Sequence, residues 1–120
     1  PRVIKTLVIY TPYVERVELN DTSITEFLVR HECVLPNVAI GQFHIESNYY
    51  KSNLVKENNN IAGIKTSTSK YVIGYKNGHC CYRNIKECIL DYIDIQNRYL
   101  KAIDGHYAMD KGYVGLLKKL

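Results

Sequence analysis

At 120 residues and 13.9 kDa the chain has room for one hydrophobic core and not for two. Hydrophobic residues at 46% and charged residues at 23% exclude a wholly disordered chain, and the lack of an apolar run of about 18 residues excludes a membrane-spanning helix. A net charge of +4 favours an anionic partner, but without an arginine-rich tract or an RNA-binding aromatic signature it does not describe a nucleic-acid binder.

In chain order, Val3, Ile4, Leu7, Val8, Ile9 and Tyr10 form a β-rich segment that stops at Pro12, a strand or an extended arm. Pro1 to Tyr10 lacks the long apolar core and cleavage site of a secretory signal. That leaves removal of a signal, release by lysis, or assembly into a particle as routes out of the cell. Ser23-Ile24-Thr25-Glu26 matches a capping box and predicts a helix from about Ser23 to Cys33 burying Ile24, Phe27 and Leu28. Pro36 suits the first turn of a second helix, which carries Val38, Ala39, Ile40, Phe43 and Ile45 and ends near Ser47 or Asn48.

Residues 49–70 are rich in Asn, Ser, Thr and Lys and read as loop. Tyr71 to Tyr82 reads as a hairpin around Asn77-Gly78, two residues that tolerate positive φ. Asn84 opens a long helix whose apolar positions Ile85, Cys88, Ile89, Tyr92, Ile95, Tyr99 and Ile103 recur at helical spacing, with Gly105 as its terminator. A last helix is predicted from about Asp110 to Lys119. The fold class is therefore mainly α (α+β), with one small hairpin between helices.

The aromatic content is lopsided, with 11 Tyr, 2 Phe and no Trp, which suits half-wet surfaces as well as a core. Cys33, Cys80, Cys81 and Cys88 lack a C-x-x-C knuckle, so free and mostly buried thiols are expected, without a metal or other cofactor. That pattern points to folding in a reducing compartment.

The most informative segment is Gln42-Phe43-His44-Ile45-Glu46-Ser47. Gln42 and Glu46 share a helix face. Glu46 falls where the helix ends, and the negative end of the dipole together with apolar Phe43 and Ile45 disfavours a charged carboxylate. A proton donor at neutral pH needs such surroundings. His44 lies about 200° round the helix from Glu46 and is expected to be structural.

Further residues give this segment a context. Gln42-x-x-x-Glu46-Ser47, then Lys51-Ser52-x-Leu54, then Asn59-Asn60-x-x-Gly63-Ile64-Lys65 resembles the glucosaminidase family of peptidoglycan hydrolases, of the flagellar and autolysin type. The resemblance continues through Tyr82-Arg83, the helix from Glu87 to Tyr92, and Tyr107-Ala108-Met109-Asp110-x-x-Tyr113, in the family's order. It implies a lysozyme-like fold with a small β-hairpin lobe over residues 22–120, preceded by an N-terminal arm or strand over residues 1–21. It also implies cleavage of the β-1,4 bond between N-acetylglucosamine and N-acetylmuramic acid in a peptidoglycan strand. By the same resemblance Glu46 is the catalytic acid and Tyr107 a tyrosine facing the cleft. Gln42, Tyr49, Asn59, Asn60, Gly63 and Lys65 would bind or border the substrate.

The departures are equally informative. The family's Gly-Trp-Gly after Glu-Ser is Asn48-Tyr49-Tyr50 here, and Tyr50 in place of glycine predicts a different local backbone. The hairpin from Tyr71 to Tyr82 holds no Asp or Glu to serve as a second acid, while glycoside hydrolysis usually needs two carboxylates. Glu87 reads as helix capping and Glu57 is a poor second acid, so the substrate's own 2-acetamido group is the expected nucleophile, with Glu57 swinging in as substrate orders the loop as the other route. The alternatives are a lytic transglycosylase, or a non-catalytic lysozyme-like domain that binds glycan or serves as a structural part of a virion. A small basic hydrolase without a visible signal suits action at the bacterial cell wall, as a bacteriophage lysin, a virion-associated protein or an autolysin.

Overall fold

The computed structural model describes residues 15–106, with side chains through residue 102. The N-terminal strand or arm, the side chains of Ile103 and His106, Tyr107 and the last helix fall outside the described residues. Within them the chain runs α1 (Asp21–Arg30), α2 (Pro36–Ser47), α3 (Asn53–Asn58), β1 (Val72–Lys76), β2 (His79–Tyr82) and α4 (Ile85–His106). This is the mainly α, lysozyme-like architecture with a small hairpin lobe. Among the described residues no helix is long and apolar enough to cross a membrane.

α1 begins two residues earlier than the capping box predicts. Asn20 is the N-cap, its side-chain oxygen accepting from the Ser23 N–H at 2.8 Å, while the Ser23 hydroxyl accepts from the Glu18 N–H at 2.9 Å. Asparagine outranks serine only slightly as a cap, but here it also leaves Asp21 in the first turn, where the helix dipole favours an acid. The helix stops at Arg30 because Glu32 adopts φ 62° and Cys33 N–H closes on the Leu28 carbonyl at 2.9 Å. Ile24, Phe27 and Leu28 are buried as the spacing requires.

α2 begins at Pro36, and its N-cap, Leu35, has no side-chain cap of its own. Gln96 of α4 supplies one: its oxygen accepts from Leu35 N–H at 2.9 Å and its amide donates to the Leu35 carbonyl at 3.0 Å. A buried glutamine thus fastens the α1–α2 connection to the long helix. The hairpin pairs Lys76 with His79 across Asn77 (φ 56°) and Gly78 (φ 73°), the left-handed pair of a type I′ turn. The register slips between Val72 and Gly74.

The core joins α1 and α2 to α4 and β2 through Phe27, Leu28, Phe43, Tyr82, Ile89 and Ile93. Phe43 meets Tyr92 edge-on, with ring centroids 4.8 Å apart. The predicted loop at 49–70 contains the helix α3, which the polar composition hides because only Val55 and Asn58 are buried from it. Gly105 does not end α4 within the described residues, since the helix runs through it to His106. The four cysteines are free, with Cys33, Cys80 and Cys88 buried and Cys81 half-buried on the other face of β2. Burial pushes the Cys33 thiol up to about 11 and the Cys88 thiol up to about 12, so neither is poised as a nucleophile.

Candidate functional site

Glu46 lies in the last turn of α2, half-buried, with Gln42 one turn before it on the same face. Of the two apolar residues expected beside the Glu46 carboxyl, Phe43 is fully inside the core and Ile45 is 53% exposed. What meets the carboxyl is the backbone at Gly63: a Cβ placed there would overlap the carboxylate oxygen and come within 2.9 Å of Cδ and 3.0 Å of Cβ of Glu46. Gly63 also adopts φ 67°, so both space and backbone conformation demand glycine.

The loop that carries Gly63 is built by three successive asparagines. Asn58 is buried, and its amide donates to the Lys76 carbonyl at 2.8 Å. Asn59 ends α3 in the left-handed region (φ 52°) and donates to the carbonyls of Tyr82 at 3.0 Å and Arg83 at 3.2 Å. Asn60 is 0% exposed. Its amide donates to the carbonyls of Ile64 and Cys80, both at 3.0 Å, and its oxygen accepts from the N–H groups of Ala62 at 3.2 Å and Ile64 at 3.3 Å. The Cys80 N–H closes the frame on the Ile64 carbonyl at 2.9 Å. Asn60 therefore has no polar atom left for a sugar, and it bends the loop instead. Lys65, just beyond it, is exposed.

The other side of Glu46 is a turn. Asn48, Tyr49 and Tyr50 all take positive φ, at 49°, 54° and 69°. Tyr50 thus takes a left-handed backbone of the kind that favours glycine. Side chains hold the turn. The buried Ser47 hydroxyl accepts from the Tyr50 N–H at 2.8 Å and donates to the Phe43 carbonyl. The Tyr50 hydroxyl donates to Asp21 Oδ1 at 2.8 Å, and His44 Nε2 meets the same oxygen at 2.7 Å. A carboxylate only accepts, so His44 carries its proton on Nε2. The hydrogen bonds from His44 and then Tyr50 hold the Asp21 carboxyl below its usual range, while burial and Asp21 push the Tyr50 phenol up. Tyr49 stacks on His44 with centroids 4.6 Å apart and stays 61% exposed.

Gln42 is fixed from α4. Its side-chain oxygen accepts from the Tyr92 hydroxyl at 3.1 Å, and that hydroxyl accepts in turn from Gln96 at 3.2 Å. The structure so gathers Gln42, Glu46 and Gly63 and uses Asn59 and Asn60 to set the loop, while Tyr107 lies outside the described residues. The two carboxylates weighed as a second acid have other partners: Glu57 accepts from the Asn77 amide at 2.9 Å, and Glu87 pairs with Arg83 at 3.2 Å while its N–H is capped by Asn84 at 3.0 Å. Asp91, fully buried, accepts from the Tyr82 hydroxyl at 2.6 Å and the Ser67 hydroxyl at 3.1 Å. A separate cavity of about 510 Å³ opens between residues 68–71 and α4, near Lys70, Asp94 and Arg98, and none of the expected site residues lines it.

Sequence reasoning passed over Tyr92, Gln96 and Asp91 as polar groups, because helical periodicity treats Tyr92 as apolar and gives no sign that a glutamine or aspartate is inside. The i, i+4 spacing of Tyr92 and Gln96 was the available signal.

A family model described as Glucosaminidase, mannosyl-glycoprotein endo-beta-N-acetylglucosaminidase, matches residues 25–120. Comparison with curated proteins and with solved structures gives no match. The matched span takes in Gln42, Glu46, the asparagine-framed loop and Tyr107, well over half of the chain. The protein belongs to the glucosaminidase family.

Proposed function

We propose that the protein is a peptidoglycan hydrolase that cleaves the β-1,4 bond between N-acetylglucosamine and N-acetylmuramic acid, with Glu46 as general acid. The observation that carries this reading is the close approach of Gly63 to the Glu46 carboxyl. A carboxyl confined against backbone at a helix end has one orientation to offer, which is what proton transfer to a leaving oxygen requires.

In the first step the Glu46 proton passes to the glycosidic oxygen as the C1–O bond breaks. The carbonyl oxygen of the substrate's 2-acetamido group attacks C1 and forms an oxazolinium ion. Water then opens that ring at C1, giving its proton to the Glu46 carboxylate, which restores the acid. Substrate assistance is favoured because Glu57 and Glu87 are engaged with Asn77 and Arg83. Tyr107 stabilises the developing charge, and Tyr49 offers an exposed ring for sugar stacking. Gln42 and Lys65 contact the glycan, whereas Asn59, Asn60 and Gly63 shape the wall of the groove. The catalytic domain, expected from sequence at residues 22–120, begins with α1 and so includes Asp21 and its N-cap Asn20, with the residues before them as an arm. The net charge of +4 draws the enzyme to an anionic cell wall, free or within a virion or wall assembly.

The test is digestion of purified peptidoglycan by the wild type and by Glu46→Gln, with fragments read by mass spectrometry. Reducing N-acetylglucosamine ends from the wild type alone support the proposal. Anhydro-muramic ends would make the enzyme a lytic transglycosylase, and no release from any wall type would leave a glycan-binding or structural domain.

A further inference from the structure

Three consecutive left-handed residues without a glycine carry steric strain. Asn48 tolerates the region, but Tyr49 and Tyr50 do not do so by nature. The turn nevertheless decides where the chain leaves α2. The His44 carbonyl accepts from the N–H groups of both Asn48 and Tyr49, and the Ser47 carbonyl from those of Lys51 and Ser52, each pair spanning Glu46 or bordering it. From there the chain passes through α3 and returns as the loop that sets Gly63 against Glu46. The first corner of this excursion and its last therefore share control of one carboxyl.

We infer that Asp21 is a positioning residue for Glu46: through one carboxylate oxygen it pins Tyr50 and His44 and so holds the left-handed turn in place. Asp21 comes from the first turn of α1, far from the turn in sequence, and it takes no part in proton transfer. Its oxygen clamps the turn at both ends, His44 three residues before Ser47 and Tyr50 three after. The clamp is specific to a chain with Tyr at position 50, since the hydroxyl is the grip. The inference rests on Glu46 as the acid.

The test compares Asp21→Ala, Asp21→Asn, Tyr50→Phe and the double variant Asp21→Ala/Tyr50→Phe, with two readouts. Amide hydrogen exchange at Tyr49 to Ser52 reads the turn itself, whether or not the protein is active. Steady-state hydrolysis of peptidoglycan fragments reads kcat and KM. Asp21→Ala should speed exchange at those amides about tenfold and lower kcat about tenfold with KM little changed, because a small misplacement of an acid costs rate before affinity. Asp21→Asn keeps an acceptor oxygen in place and should recover most of both. Tyr50→Phe should show the same kcat loss, and the double variant should lose little more than Asp21→Ala alone. Unchanged exchange in Asp21→Ala, or losses that add fully in the double variant, would overturn the clamp. Altered exchange with unchanged kcat would overturn its link to Glu46 while leaving the turn as described. A wild type inert on every substrate, with exchange altered as expected, would instead place the failure in the catalytic reading.

Discussion

The two corners on either side of Glu46 solve one problem by different means. At Gly63 the chain makes a left-handed step with the residue that adopts it freely, and buried asparagine bonds fix the loop from within. At residues 48–50 the chain makes three such steps with residues that resist them, and partly exposed contacts to Asp21 hold the turn from outside. The first corner is rigid because its bonds are buried and unpaired groups there are costly; the second is rigid only while its clamp is closed.

The comparison breaks first at Gly63. Gly63→Ala should abolish measurable hydrolysis, since the methyl overlaps the Glu46 carboxylate, and should cost about 1–2 kcal/mol or more in stability from the positive φ alone. Turnover and thermal unfolding of the variant check this, and full activity would show that the close approach does not matter.

Asn60→Ala should destabilise the protein by about 3 kcal/mol, because it strips partners from the Ala62 and Ile64 N–H groups and from the Cys80 carbonyl inside the core. Urea unfolding would measure it, and a cost under about 1 kcal/mol would mean that water replaces the side chain. Tyr82→Phe removes one donor from the fully buried Asp91 and should cost about 2 kcal/mol, with Ser67 keeping the other oxygen partnered. Because Tyr82 does not touch Glu46 in this account, kcat at a temperature well below the melting point should stay close to that of the wild type.

The smallest effect belongs to the outer corner and to acid. The Asp21 carboxyl sits below its usual range in the folded protein, so its bonds stabilise the fold above the unfolded value near 3.8 and are lost as pH falls through the folded value. The side chain is 56% exposed, so solvent screening limits the contribution to about 0.5 kcal/mol. Asp21→Asn should therefore lower stability by about that amount near neutrality and by less as pH falls below about 4, which flattens the curve there. An equal loss at pH 7 and pH 3 fits a different role.

Much of this was legible in the sequence, and for definite reasons. Pro36, Asn77-Gly78 and the periodicity from Ile85 fix three elements by local sterics and burial, and the structure places α2, the hairpin and α4 there. Glu46 stood out by its position at a helix end and by the motifs around it. Its true neighbour did not, because contact with Gly63 depends on the return of a loop that no local pattern describes. α3 escaped notice because six residues with two buried positions carry too little periodicity. The contact of Tyr50 with Asp21 was not legible, since nothing adjacent in sequence announces it. Asn60 entered as a residue binding or bordering the substrate through the motif resemblance, which gives no sign that its side chain is buried.

The most direct test of Glu46 as proton donor compares two leaving groups. On a glycan substrate, whose leaving alcohol needs protonation, Glu46→Gln should lose about 10²–10⁴-fold in kcat. On a dinitrophenyl N-acetylglucosaminide oligomer, whose phenolate leaves without a proton, the same variant should keep most of the wild-type rate of bond cleavage. An equal loss on both substrates, or no loss on the glycan, would contradict the assignment of Glu46 as the acid.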